Sequence, residues 1–291
     1  EKMTQPSTAH EPVTKGERSL ESTERPNVQD ELPRCLQRER RLHFDTAQHN
    51  VYGAAVALLQ RVGGRLGQFP EASGSARLEE YQPAVDVFRS FKARQILYQA
   101  VTEDTAFLAA YERLVTEVVL PLVKGLLQAH DERADGSDAA CPVCRGGSSS
   151  GALPPAPSFA SAPVRFFFQY PPSMRLQPGP SEHFGRMHRD AEYGHQPGEI
   201  NFWMPLTSHE LTRSCLWIES SPGADDFHPL DVAYGCIAAF HGTLCRHHVP
   251  PNPSIYTRVS IDFRVGVDRF FDPDWQLKTV KAQHGRRECT L

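Results

Sequence analysis

The segment Met187-His188-Arg189-Asp190 carries an imidazole and a carboxylate two residues apart. On an extended strand, residues i and i+2 share a face, so both side chains would point the same way. His247 lies on a later predicted strand and could close the set. Two imidazoles and one carboxylate on one face of an octahedral ion leave three positions free, the arrangement a non-haem Fe(II) centre needs to take up a co-substrate and O2. Taken alone, H-x-D carries little specificity in a chain with 13 histidines, where surface or hydrogen-bonded core residues give the same pattern.

The segment Tyr256-Thr257-Arg258-Val259-Ser260-Ile261-Asp262-Phe263-Arg264 adds a second signal. Val259, Ile261, Phe263 and Val265 form one apolar face of a strand, and Arg258, Ser260, Asp262 and Arg264 form the other. An ordinary sandwich strand would point those charges at water. The functional reading has Arg258 projecting inward to bind the far end of a dicarboxylate by paired N–H···O bonds, with the Ser260 hydroxyl as a further donor.

These residues need elements to position them. From Val164 onward, short apolar runs alternate with Gly- and Pro-bearing turns: 164–170, 200–206, 215–219, 235–240, 245–249 and 256–265. Strands at that spacing predict a β-sandwich or barrel-like roll. Upstream the period changes to that of a helix, clearest where Phe107, Leu108, Tyr111, Leu114, Val115, Val118 and Val119 recur at three- and four-residue intervals. Pro121 is expected to kink or end that helix. Earlier helices are expected over 46–62, before Gly63-Gly64, and over 81–100. The resulting division is a disordered tail over 1–34, a helical region over 35–130 packing on the roll, a Gly/Ser/Ala/Pro-rich insert or linker over 131–163, the β core over 164–270 and a C-terminal tail over 271–291. Cys141-Pro142-Val143-Cys144 in the insert has no second Cys or His pair nearby to complete a zinc site, and reads as two thiols.

Composition excludes several classes. A formal net charge of -4, with no basic run interleaved with aromatics, gives no footprint for nucleic acid. No apolar stretch approaches the roughly 18 residues that span a bilayer, so a soluble protein with no membrane partner is expected. Seven cysteines, an odd count without dense spacing, do not read as a disulfide framework. That cysteine usage favours a reducing compartment, and the expected location is the cytoplasm; Glu1-Lys2-Met3 lacks a leading Met, so the start of the sequence is not read for targeting.

The run from His188 to Thr207, together with Leu216-Trp217-Ile218-Glu219-Ser220, Cys245-Arg246-His247 and Thr257 to Val265, resembles the StrG-like proteins. More distantly it is similar to the phytanoyl-CoA dioxygenase superfamily of Fe(II)/2-oxoglutarate oxygenases. The resemblance covers about 164 to 266. It implies a mainly β fold with an N-terminal helical region: a double-stranded β-helix (jelly roll, cupin-like) with helices packed outside. Carried over, His188, Asp190 and His247 match the metal-binding and catalytic pattern, Arg258 the 2-oxoglutarate arginine, and Ser260 the serine of an Arg-x-Ser pair. His241 and His248 are the alternatives for the third ligand; His241 sits in a His-Gly turn and His248 would face away from its neighbour. The implied cofactors are Fe(II), 2-oxoglutarate and O2. The implied activity is oxidation of a small polar metabolite with release of succinate and CO2. Arg175 and Gln177, Asn201 and Trp203, and Trp217 and Glu219 are the candidates for contacting that substrate. The competing expectation is a cupin-like metal-binding or interaction module without catalysis.

Overall fold

The computed structural model describes residues 31–71, 75–84, 86–87, 90–132, 163–182, 184–275 and 285–291. Most of the expected tail and insert, and the Cys141/Cys144 pair with them, lie outside the described residues. The helices are α1 (Arg34–Gln37), α2 (Val51–Val62), α3 (Phe91–Glu103), α4 (Thr105–Leu114), α5 (Leu120–Asp131) and α6 (His209–Thr212). The strands are β1 (Arg40–His43), β2 (Gly67–Gln68), β3 (Gln82–Pro83), β4 (Arg165–Gln169), β5 (Ser173–Gln177), β6 (Gly185–His188), β7 (Glu199–Pro205), β8 (Trp217–Ile218), β9 (His228–Pro229), β10 (Cys236–Phe240), β11 (His247–Val249), β12 (Arg258–Val267) and β13 (Arg286–Thr290).

Local chemistry sets the helix ends. Asn50 caps α2 by accepting from the Gly53 N–H at 2.8 Å, so the helix starts five residues later than the apolar period suggests. Asp104 caps α4 through the Phe107 N–H at 3.0 Å. The regular α-helix is interrupted just before Pro121: α4 ends at Leu114, a π turn runs over Val115–Val119, and α5 starts at Leu120 with Pro121 in its first turn. The predicted helix over 81–100 is displaced: Ser90 caps α3, and β3 occupies the earlier residues.

Two antiparallel sheets carry the β region. The larger runs β1-β10-β7-β12-β4-β13, with β5 also paired to the first half of β12. The smaller runs β6-β11-β8-β9. Period-two alternation gives the large sheet two distinct faces. Phe202, Met204, Val259, Ile261, Phe263 and Val265 join the helices' buried residues in one core. Phe263 stacks on Phe202 with ring centroids 5.3 Å apart and meets Tyr111 of α4 edge-on at 5.2 Å. On the opposite face, Trp203, Ala238 and Phe240 pack against Leu216, Ile218 and Leu230 in a second cluster between the sheets. Phe263→Ala would remove a ring that is 1 % exposed and leave a cavity between sheet and helices. A loss of about 3–5 kcal/mol in chemical denaturation is expected.

Both ends of the described chain are built into this frame. Leu32 is buried, and α1 begins within the span expected to be a tail, because Leu32, Cys35 and Leu36 form a short apolar cluster with too few turns to show a period. The expected C-terminal tail ends in β13, which pairs with β4 from Arg286↔Gln169 to Thr290↔Arg165. Its residues are charged and polar, as suits an edge strand. Its basic side chains are used: Arg287 lies over the Tyr170 ring at 3.8 Å, and Arg286 donates to Glu199 at 2.9 Å. Among the described residues no helix is long and apolar enough to cross a membrane.

Candidate functional site

Strand pairing brings the two histidines together. His247 of β11 lies opposite His188 at the end of β6, with ring centroids 4.4 Å apart. The expected strand geometry of His-x-Asp is modified, since β6 stops at His188 and Asp190 opens a 3-10 turn running to Tyr193. Arg189 between them remains extended, at φ -106 and ψ 145, so the two side chains still project to one side. The Asp190 N–H donates to the Gly242 carbonyl at 2.9 Å. A Cβ on Gly242 would come within 2.7 Å of the Asn201 amide, so this turn needs a glycine.

Each imidazole is oriented by a backbone carbonyl. His188 Nδ1 is 2.6 Å from Arg186 O, and His247 Nδ1 is 3.1 Å from Cys245 O. A carbonyl only accepts, so both Nδ1 atoms carry a proton, and in the neutral imidazoles both Nε2 atoms present a lone pair. Each Nε2 lies 3.6 Å from Asp190 Oδ1. The three groups offer ligand atoms within 4.8 Å of one another, a spacing that could hold a metal ion. Asp190 is 1 % exposed and its Oδ1 has no hydrogen-bond partner among the described residues, a costly state for a buried carboxylate oxygen unless a cation meets it. Oδ2, by contrast, accepts from Asn201 Nδ2 at 2.6 Å and from Arg264 Nε at 2.7 Å.

Electrostatics follow this geometry. Burial opposes ionisation of Asp190, but Arg264 and the neighbouring histidines more than offset it and hold its carboxyl well below the usual carboxylate range. Burial pushes the His247 imidazole down, which favours the neutral ligand form. On His188 burial acts the same way, yet the nearby Asp190 carboxylate and the hydrogen bond to the Arg186 carbonyl raise it overall.

The triad opens onto a cavity of about 530 Å³ between the sheets. The charged face of β12 lines it with Arg258, Ser260, Asp262 and Arg264. Arg258 is 2 % exposed; its Nε donates to Gln177 Oε1 at 2.9 Å and its Nη1 to Ser260 Oγ at 3.1 Å, while Nη2 has no hydrogen-bond partner among the described residues. Burial lowers this guanidinium to about 10, so it stays charged at neutral pH. Gln177 is fixed in turn, donating to Pro250 O at 2.9 Å and accepting from Ser214 Oγ at 3.0 Å.

The other residues singled out in the sequence fall in different places. Arg175 lines the cavity, paired with Asp262 at 2.7 Å. Trp203 lines it too, and Asn201 reaches it while bonding Asp190. Gln177 stands behind Arg258. Trp217 and Glu219 do not line the cavity: Trp217 lies against His248 at 6.2 Å, and Glu219 accepts from the Arg246 backbone N–H at 2.7 Å and from its Nη2 at 2.8 Å. Trp217 on β8 is turned to packing, and Glu219, just past the end of β8, pins the loop that leads into His247. His248 sits against the Phe227 ring, and His241 Nε2 is engaged with Pro197 O at 2.9 Å; neither joins His188 and Asp190. Tyr193, His195 and Arg264 also line the cavity, and the sequence reading gives them no role. The alternation of β12 did carry the signal for Arg264, which shares the face of Arg258.

Glu219 provides a test of this packing. Burial disfavours its charge, but the Arg246 contacts prevail and hold its carboxyl down at about 2, from an ordinary 4.5. A depressed folded-state value contributes stability above the unfolded value and loses it as pH falls. The thermal midpoint of the wild type is therefore expected to drop between pH 4.5 and about 2 more steeply than that of Glu219→Gln, which starts lower and lacks this titration.

No family profile matches the chain. Against curated proteins it is 32% identical over 108 residues to the streptomycin biosynthesis protein StrG of Streptomyces griseus, a match over 37% of this chain and 50% of that protein. The chain thus spans about half the length of this curated relative. Among solved structures, the non-heme alpha ketoglutarate dependent carbocyclase SnoK from nogalamycin biosynthesis aligns over 80% of both chains at 14% identity, with a TM-score of 0.44. The epimerase SnoN in complex with Fe3+, alpha ketoglutarate and nogalamycin RO aligns over 80% of both chains at 11% identity, with a TM-score of 0.37. The non-heme monooxygenase ThoJ in its nickel complex aligns over 36% of this chain and 48% of its own at 19% identity, with a TM-score of 0.30.

Proposed function

We propose that the chain is an Fe(II)- and 2-oxoglutarate-dependent oxygenase built on a double-stranded β-helix, with iron held by His188 Nε2, Asp190 Oδ1 and His247 Nε2 and the distal carboxylate of 2-oxoglutarate held by Arg258 and Ser260. The observation that carries this reading is a bare, buried Asp190 Oδ1 at 3.6 Å from two imidazole Nε2 atoms, in the same cavity as a buried guanidinium with a spare donor. The donor set fits iron, since two neutral imidazoles and one carboxylate on one side are the facial arrangement. A dianion fits the other end, where Arg258 has a free Nη2 and no carboxylate partner among the described residues.

Iron and 2-oxoglutarate, when bound, would supply the oxidising chemistry, with O2 consumed and succinate and CO2 released. The chain's own residues do the positioning. The Arg186 and Cys245 carbonyls hold the imidazole protons on Nδ1 and keep Nε2 available. Gln177 and Ser260 set the plane of the Arg258 guanidinium, which orients a carboxylate placed against it. Trp203, Leu216, Phe240 and Val249 supply an apolar wall that limits water around the reacting atoms. The Arg175–Asp262 pair and Tyr193 leave polar groups on the remaining wall. They suit a small polar metabolite, in keeping with the pathway named for the curated relative.

The test is an anaerobic titration of the metal-free protein with Fe(II) and 2-oxoglutarate. A visible metal-to-ligand charge-transfer band is expected, absent in His188→Ala. A folded wild type without the band would bring forward the metal-binding module that performs no oxidation.

A further inference from the structure

Asp190 is gripped from one side only. Asn201 Nδ2 and Arg264 Nε donate to Oδ2 at 2.6 and 2.7 Å, Arg264 Nη2 forms an ion pair with the same oxygen at 2.7 Å, and Oδ1 receives no hydrogen bond among the described residues. Two donors occupy the lone pairs of one carboxylate oxygen. Turning Oδ2 toward the imidazoles would break both bonds and the ion pair inside a buried site. Arg264 is itself anchored: its Nη1 donates to Gln169 Oε1 at 3.1 Å, and Gln169 Nε2 donates to Ser173 Oγ at 3.0 Å and Pro171 O at 3.3 Å. The clamp therefore rests on β4 and the turn after it, on the far side of β12 from the Asn201 strand β7. Asn201 is confined by Gly242, the residue whose carbonyl takes the Asp190 N–H.

The same arrangement sets the charge. With both imidazoles neutral, Asp190 and Arg264 cancel before any ion arrives. A dication entering the site meets a carboxylate that already has its counter-charge, and lies close to a fixed cation.

We propose that Arg264 is a positioning residue that confines Asp190 to one-oxygen coordination, keeping three positions of the ion open for ligands while lowering the site's affinity for the ion. This rests on the metal-site reading above. It separates two properties that a merely structural arginine would move together. Loss of a structural arginine weakens metal binding. Loss of this one leaves the ion as the sole counter-charge of Asp190 and frees Oδ2 to join it, so binding tightens while an open position is lost.

The experiment uses the full chain and Mn(II). Free-ion electron paramagnetic resonance gives the dissociation constant, and water-proton relaxation gives the number of exchangeable waters on the bound ion. Wild type is expected to hold roughly three waters, and His247→Ala to abolish the binding. Arg264→Gln is expected to hold one water fewer, to bind about threefold or more tighter, and to gain more in thermal midpoint from saturating Mn(II) than wild type does. Arg264→Lys, which keeps the charge but not the fork, is expected to lose the water with an affinity within about twofold of wild type. It also serves where Arg264→Gln is too unstable without metal. Wild-type hydration and affinity in both variants, or weaker binding in Arg264→Gln, would overturn the positioning role and leave the metal site standing. Absence of any His247-dependent Mn(II) binding in wild type would overturn both.

Discussion

His247→Ala is expected to lose Fe(II) affinity by more than about 100-fold, the upper end of what loss of a residue that merely orients a ligand costs, and to lose turnover with it. The expectation follows from the poverty of substitutes. Within the cavity, His188 and Asp190 remain, but His195 is committed at Nδ1 to Glu199 at 2.8 Å, His241 is turned to Pro197, and His248 faces Trp217 and Phe227. Two ligands do not make a facial set. The variant is expected to remain folded, because the removed ring is uncharged, with its imidazole pushed down by burial, and because Asp190 keeps Arg264 as its counter-charge. A chelator-competition titration under anaerobic conditions, run beside near-ultraviolet circular dichroism, separates metal loss from unfolding. Wild-type Fe(II) affinity in a folded variant would remove His247 from the site and reopen the choice of the third ligand.

How far sequence reasoning reaches is clear from where its signals are local. The two faces of β12 were legible because alternation is a property of the strand itself: Val259, Ile261, Phe263 and Val265 lie in the core, and Arg258, Ser260, Asp262 and Arg264 line the cavity. The meeting of His188 with His247 depends on antiparallel register across 58 intervening positions, and spacing alone left His241 and His248 in contention. The roles of Asn201, Gln177 and Arg264 were out of reach for a related reason. Each is a polar residue at an inward position, and only the three-dimensional arrangement distinguishes holding a ligand residue from facing a substrate. Glu219 and Trp217 show the same limit in reverse, since the one pairs with Arg246 and the other packs against His248 rather than lining the cavity. The C-terminal strand was missed because Arg286, Arg287, Glu288 and Thr290 have no apolar alternation, and its partner β4 lies more than a hundred residues upstream.

Arg258→Met should separate stability from co-substrate binding in opposite directions. In the ligand-free protein the guanidinium is 2 % exposed, satisfied on Nε and Nη1, unpartnered on Nη2 and without a carboxylate partner among the described residues. Burial holds it at about 10 rather than 12.5, a penalty on the charged form of roughly 3 kcal/mol at 1.36 kcal/mol per unit. A buried charge lacking its counter-ion is a burden on the empty fold, so Met of similar length is expected to leave the ligand-free protein as stable as wild type or more so. The gain is reduced because Gln177 Oε1 and Ser260 lose a donor. With 2-oxoglutarate present the order reverses. A charged, two-pronged contact with the distal carboxylate is lost, and affinity for 2-oxoglutarate is expected to fall by about 100-fold, near the range for a hydrogen-bonded buried charge pair. Arg258→Lys recovers only part of this, because an ammonium cannot satisfy Gln177, Ser260 and a carboxylate in one plane. The deciding measurement is thermal unfolding with Mn(II), with and without 2-oxoglutarate. The wild type is expected to gain from the co-substrate, while Arg258→Met starts at least as high and does not respond. A large loss of stability without ligand, together with an undiminished response to 2-oxoglutarate, would make Arg258 a core residue and move the dicarboxylate elsewhere. The expected pattern instead fits a site held in readiness, in which the fold tolerates a bare cation so that an anionic co-substrate can neutralise it on binding.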